Sequence, residues 1–117
     1  MSKLFVMAIP IPQGKEEDWQ NFADEFSGSW KEKFKASRQK WSVHERTFYQ
    51  RTSKGCVAII TLEGQEPKKA FQQFISSHDD FTKWFLENIK AIQNVDLAQL
   101  LSDPESELSE LFIDSEV

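Results

Sequence analysis

Leu4-Phe5-Val6-Met7-Ala8-Ile9 and Cys56-Val57-Ala58-Ile59-Ile60 are apolar at every position. A strand without alternation is buried on both faces, so the pattern predicts strands over Leu4–Ile11 and Cys56–Leu62. Between them, Val43 to Thr52 alternates. Val43, Glu45, Thr47, Tyr49 and Arg51 share one face, and His44, Arg46, Phe48 and Gln50 the other. That strand is polar on both sides, as suits a sheet edge, and Ser53-Lys54-Gly55 turns it into the next one, with glycine supplying a positive φ. Spacings of three and four change the signal to helical. Trp19, Phe22, Ala23, Phe26, Trp30 and Phe34 form a stripe on a helix over Lys15–Ser37, and Gly28 between Ser27 and Ser29 marks a bend. A second helical region, Pro67–Gln93, opens at Glu66-Pro67, where proline suits the first turn. Ser77-His78-Asp79-Asp80 has the form of a helix start and divides it into 67–76 and 78–93. The longer piece buries Phe81, Trp84, Phe85, Ile89 and Ile92. Asn94-Val95-Asp96 ends it, 97–109 reads as a loop, and Glu110–Asp114 as a last strand.

The order β-α-β-β-α-β specifies an α+β, ferredoxin-like sandwich: an antiparallel sheet, helices on one face, the first and third strands central. Residues 1–117 form a single domain, of which 97–117 are an acidic C-terminal extension with the last strand. Helices cover only one face, while two strands are apolar on both. The open sheet face must therefore meet something apolar, most simply a second copy, which makes the protein a homodimer. The acidic tail and last strand are expected to reach onto the partner or seal its edge.

At 117 residues the chain supports one core. Hydrophobic residues make up 39% and aromatics 13%, which predicts a packed globule rather than a disordered chain. No apolar run approaches the roughly 18 residues of a membrane span, and the N-terminal stretch lacks a small-residue cleavage site. Cys56 is the only cysteine, which rules out an internal disulfide or an all-cysteine metal site and fits a small packed group. A cytoplasmic location is expected. The net charge of −5 is uneven: residues 103–117 carry six acids and no base, whereas Lys31–Lys54 holds eight bases against Glu32 and Glu45. This charge reads as a solvated helix face and a polar terminus.

Several stretches are similar to an uncharacterised bacterial family of the dimeric α/β-barrel superfamily. They are Ala36-Ser37-Arg38 with Trp41-Ser42-Val43-His44-Glu45-Arg46, the hairpin Phe48 to Gly55, Ser77 to Phe85 running on to Val95-Asp96-Leu97, and Glu107 to Asp114. The resemblance covers most of the chain and implies the ferredoxin-like dimeric fold. The wider superfamily includes cofactor-free quinol-type monooxygenases, haem-degrading enzymes, stress-response proteins and plain ligand binders, so kinship does not transfer a reaction. Its oxygenases commonly orient substrate with an Asn on the first strand. Leu4–Ile9 holds no polar residue, which weakens an oxygenase reading.

Candidate chemistry is sparse. Glu45, Tyr49 and Gln50 on the polar strand can position a small polar group. His78 beside a helix N-terminus suits a neutral proton-transfer base; its bland alternative is an exposed turn residue. Two histidines without paired spacing make no metal site, and no cofactor is expected. RNA-recognition domains share the strand order, but their base-stacking positions fall here on Cys56, Ala58 and Thr61, which excludes nucleic acid. Phosphate-loop, dinucleotide and serine-hydrolase motifs are absent. The expectation is a binder of a small, largely apolar molecule in a pocket between sheet and helices. Its candidate residues are Trp41, Glu45, Tyr49, Gln50, His78, Phe81 and Trp84. The alternatives are a cofactor-free monooxygenase-like or haem-degrading enzyme using His78 and Glu45, and a purely structural dimer.

Overall fold

A computed structural model describes residues 3–102 and 109–116. Three strands, β1 (Lys3–Ile11), β2 (His44–Thr52) and β3 (Gly55–Gly64), form an antiparallel sheet in the order β1-β3-β2. The register aligns Phe5 with Leu62 and Glu45, Met7 with Ile60 and Thr47, and Ile9 with Ala58 and Tyr49. With a side-chain period of two, this puts Phe5, Met7, Ile9 and Ile11 on one face with Ala58 and Leu62, and all six are buried beneath the helices. The opposite face carries Leu4, Val6, Ala8, Val57, Ile59 and Phe48. It has no cover in the protomer, and Leu4 and Phe48 are 66% and 54% exposed.

Five helices pack on the covered face: α1 (Glu16–Glu25), α2 (Lys31–Lys40), α3 (Pro67–Ile75), α4 (Asp80–Gln93) and α5 (Leu97–Ser102). The bend expected at Gly28 is a full break from Phe26 to Trp30. There Phe26, Ser27 and Gly28 donate to carbonyls three residues back, and Trp30 reaches Glu25 O. The tightened turn swings α2 away while keeping Phe26 in the core, where its ring lies 4.9 Å from Phe34 and 5.3 Å from Trp84. The second helical region divides as the sequence suggests, with a different cap. Asp79 Oδ1 accepts from Thr82 N at 2.8 Å, so α4 begins at Asp80 rather than at 78. Asn94, at φ 56°, ends it.

Three expectations are corrected. Residues 97–102, read as loop, are helical: Asp96 Oδ1 accepts from Gln99 N, and Leu97 and Leu101, four apart, are both buried. The remainder of that segment, 103–108, lies outside the described residues. Glu110–Asp114 forms no strand, and Leu111, Phe112 and Ile113 are 79%, 87% and 90% exposed. Without a fourth strand β1 is an edge of the sheet, not a central strand, and only β3 is flanked on both sides.

The α4 cap is testable. Its hydrogen bond from the Thr82 backbone holds the Asp79 carboxyl below its ordinary value of 3.8, against a smaller opposing effect of burial. A carboxyl lowered in the folded state stabilises fully above its unfolded value and loses that contribution as pH falls through the folded one. Asp79→Ala is expected to cost about 1 kcal/mol at neutral pH. In urea denaturation the wild-type advantage should shrink as the pH drops below 3.8.

Candidate functional site

α2 has the sequence KEKFKASRQK, and only Phe34 and Arg38, one helical turn apart, turn inward. Arg38 extends the aromatic stripe by four residues and is buried by rings: its guanidinium lies 4.2 Å from the Phe74 centroid and 5.1 Å from that of Phe34. Its charge is met by Glu45 on the helix-facing side of β2, with Nε donating to Oε1 at 2.7 Å and side chains 7% and 6% exposed. Nη1 donates to Ser37 Oγ, whereas Nη2 is buried without a partner. Guanidinium against aromatic faces in a dry setting contributes on the order of 2 kcal/mol, offsetting part of the cost of desolvating both ions.

Glu45 also lines a cavity of about 250 Å³ between sheet and helices. Its floor is Met7, Ile9, Ala58 and Ile60; its roof includes Trp19, Phe22, Phe26, Phe34, Phe71 and Phe85. The polar groups are few. Glu45 and Thr47 stand on β2, with Thr47 Oγ1 donating weakly to Glu45 Oε2 at 3.4 Å. Gln93 closes the α4 end: its Nε2 donates to the Ile9 carbonyl at 3.2 Å, while its Oε1 has no partner. Phe5, in register with Leu62 and Glu45, is four residues along β1 from Ile9 and two strands across from β2, so the Glu45 and Ile9 backbones lie roughly 16 Å apart. Thr47 is exposed and lines the cavity, so the mouth opens at the β2 edge. The site presents chiefly oxygen acceptors in an aromatic chamber. Among the described residues no group of three His, Cys, Asp or Glu side chains could hold a metal.

The other candidates are dispersed. Tyr49 sits beside the chamber, its ring 5.3 Å from Trp19 and its hydroxyl donating to Cys56 Sγ at 2.9 Å. That bond, with burial, raises its pKa above 10.0, partly opposed by Arg51. Gln50 lies on the open sheet face, exposed. Trp41 lines a separate surface cleft with Arg38 and His44. His78 is exposed just ahead of the α4 cap and does not line the cavity. Phe81 and Trp84 belong to the aromatic cluster over α1 and α2, Trp84 stacking on Trp30 at 5.1 Å. Arg38, Thr47 and Gln93 were not singled out from the sequence. Position 38 falls on the apolar stripe four after Phe34, and Thr47 shares the Glu45 face; both signals are in the pattern. Nothing local marks Gln93, whose role rests on a contact 84 residues away.

Arg38→Ala or Glu45→Ala alone is expected to destabilise by about 3 to 5 kcal/mol, because each leaves the other charge buried and unpaired. An Arg38→Met/Glu45→Leu double variant should recover most of that loss, measured by urea unfolding.

Compared with protein-family models, with curated proteins and with solved structures, the chain matches none of them.

Proposed function

We propose that this protein binds a small, largely apolar molecule carrying a neutral hydrogen-bond donor, such as a phenol or an aryl alcohol. It does so as a cytoplasmic homodimer of ferredoxin-like, dimeric α/β-barrel subunits joined through their open sheet faces. The observation that carries the ligand reading is the aromatic chamber with Glu45 and Thr47 near its mouth. Its volume, about 250 Å³, exceeds the roughly 150 Å³ that admits benzene and falls just short of the pockets that hold drug-sized ligands, about 300 Å³ and above. One or two fused rings fit that space. Arg38 already neutralises Glu45, so a neutral donor can use the remaining carboxylate lone pairs without adding an unpaired charge. An anionic head would meet the carboxylate and be repelled.

The dimer reading rests on the uncovered face. Leu4, Val6, Ala8, Val57, Ile59 and Phe48 cluster on it across the strands, with His44, Arg46, Glu63, Thr61 and Gln50 at its ends and β2 side. The enzyme alternative has less support, since the exposed imidazole of His78 is not at the cavity.

Titration calorimetry with 2-naphthol, and with 2-naphthoate as the anionic counterpart, tests the ligand reading. The naphthol should bind, and the naphthoate at least about tenfold more weakly. Ala23→Phe, which fills the chamber from α1, should abolish binding while leaving the far-UV spectrum unchanged. Absence of naphthol binding, or equal binding of the anion, sinks the donor-ligand reading and leaves a structural dimer.

A further inference from the structure

The geometry points to exchange of the C-terminal segment: Glu110–Asp114 of one subunit adds as a strand to the free β1 edge of a second copy. The inference rests on the dimer proposed above and says what completes it.

Two features of the described chain lack partners of complementary kind. β1 pairs only with β3, so its outer edge presents backbone N–H and C=O groups to solvent. Glu110-Leu111-Phe112-Ile113-Asp114 is irregular, and its three apolar side chains are almost fully exposed. A β-rich apolar run held in water is costly, at about 1.5 to 3 kcal/mol for each large side chain left unburied. Strand addition satisfies edge and segment together. In a two-fold dimer it happens twice, because each subunit supplies one edge and one segment.

The place along β1 is also indicated. Gln93 Nε2 already supplies a donor to the Ile9 and Pro10 carbonyls. Among the described residues no hydrogen bond from outside the sheet reaches Lys3–Met7. A surface cleft of about 450 Å³ runs beside that stretch, lined by Lys3, Leu4 and Phe5 with Lys68 and Lys69 of α3. Glu66, which also lines the cleft, pairs with Lys69 at 3.9 Å, and among the described residues Lys3 and Lys68 form no ion pair. The apolar run is flanked by Glu110 and Asp114, so its charges complement the lysines of the cleft. Five residues extend about 17 Å, enough to cover Lys3–Met7.

Area supports a second copy as the occupant. The open face spans three strands of nine or ten residues, roughly 30 by 14 Å, or about 400 Å² of plan area per subunit. Two such faces give about 800 Å² of plan area, and exchanged segments add to it toward the roughly 1,200 Å² of accessible surface at which specific interfaces begin. Phe112 alone adds about 150 to 250 Å² for each exchanged segment.

Sedimentation of the full chain against a chain ending at Ser109 tests the exchange, with circular dichroism to confirm the truncated fold. The full chain should dimerise, and truncation should weaken the dimer at least about tenfold. An unchanged dimer overturns the exchange while leaving the sheet-face reading standing; a monomeric full chain overturns both. A second measurement needs no truncation. With p-benzoylphenylalanine in place of Phe112, mixed light and heavy isotope chains are photolysed and the cross-linked peptides sequenced. Cross-links joining light to heavy chains at the Lys3–Met7 peptide are expected. Cross-links confined to single chains would mean the segment folds onto its own β1, and cross-links elsewhere that it docks on another surface; either overturns the proposal.

Discussion

The Arg38–Glu45 pair is the contact on which the helix layer over the β2 edge depends. α2 contributes almost no apolar surface, and β2 carries polar residues on both faces, so little hydrophobic driving force holds these two elements together. A buried ion pair surrounded by phenyl rings takes that place. Such a pair is weakly stabilising compared with an apolar isostere but severe to break. It therefore fixes where α2 sits more than it adds to stability. By holding α2 over the sheet it keeps the Phe26–Phe34 roof above Thr47, and with it the chamber that opens at that edge.

The same economy appears in the sheet. Among the described residues three strands and five helices bury a core on one face and leave the other, together with the β1 edge, without a partner. An apolar face and an unpaired edge in one chain are aggregation hazards unless something specific covers them. Glu63, paired opposite Leu4, and its exposed ion pair with Arg46 put charge at one end of that face only, and Lys3, two residues from Phe5, lies on the helix-facing side.

Much of this was legible in the sequence because periodicity reports burial. The unbroken apolar runs located β1 and β3, alternation gave the correct two faces of β2, and the stripe through Phe34 located α1 and α2. What escaped depends on more than local pattern. Residues 97–102 carry only Leu97, Leu100 and Leu101 as apolar signal, too short a run to distinguish a helix from a loop without the Asp96 cap and the contacts beneath it. Glu110–Asp114 has strand composition but no strand, because pairing is a property of two segments and no described segment lies paired with it. The site was legible in half: Glu45 stood out as a carboxylate on the polar strand, whereas its partner read as one more base in a basic segment.

Mouth and free edge lie on opposite sides of the sheet, the chamber opening beside β2 and the unpaired backbone running along β1. β3 separates them, and its side chains serve both surfaces by turns: Ala58 and Ile60 floor the chamber, while Val57 and Ile59 face outward. A ligand entering at β2 therefore meets neither the apolar face nor the β1 edge. Assembly at that face and edge acts on the chamber through Met7 and Ile9 of β1 on its floor, through β3, and through Gln93. Gln93 ties α4 to the β1 backbone by its bonds to Ile9 and Pro10. Any coupling between occupancy and association has to pass through that carboxamide or through a shift of β1 or β3, and a close-packed sheet resists the second.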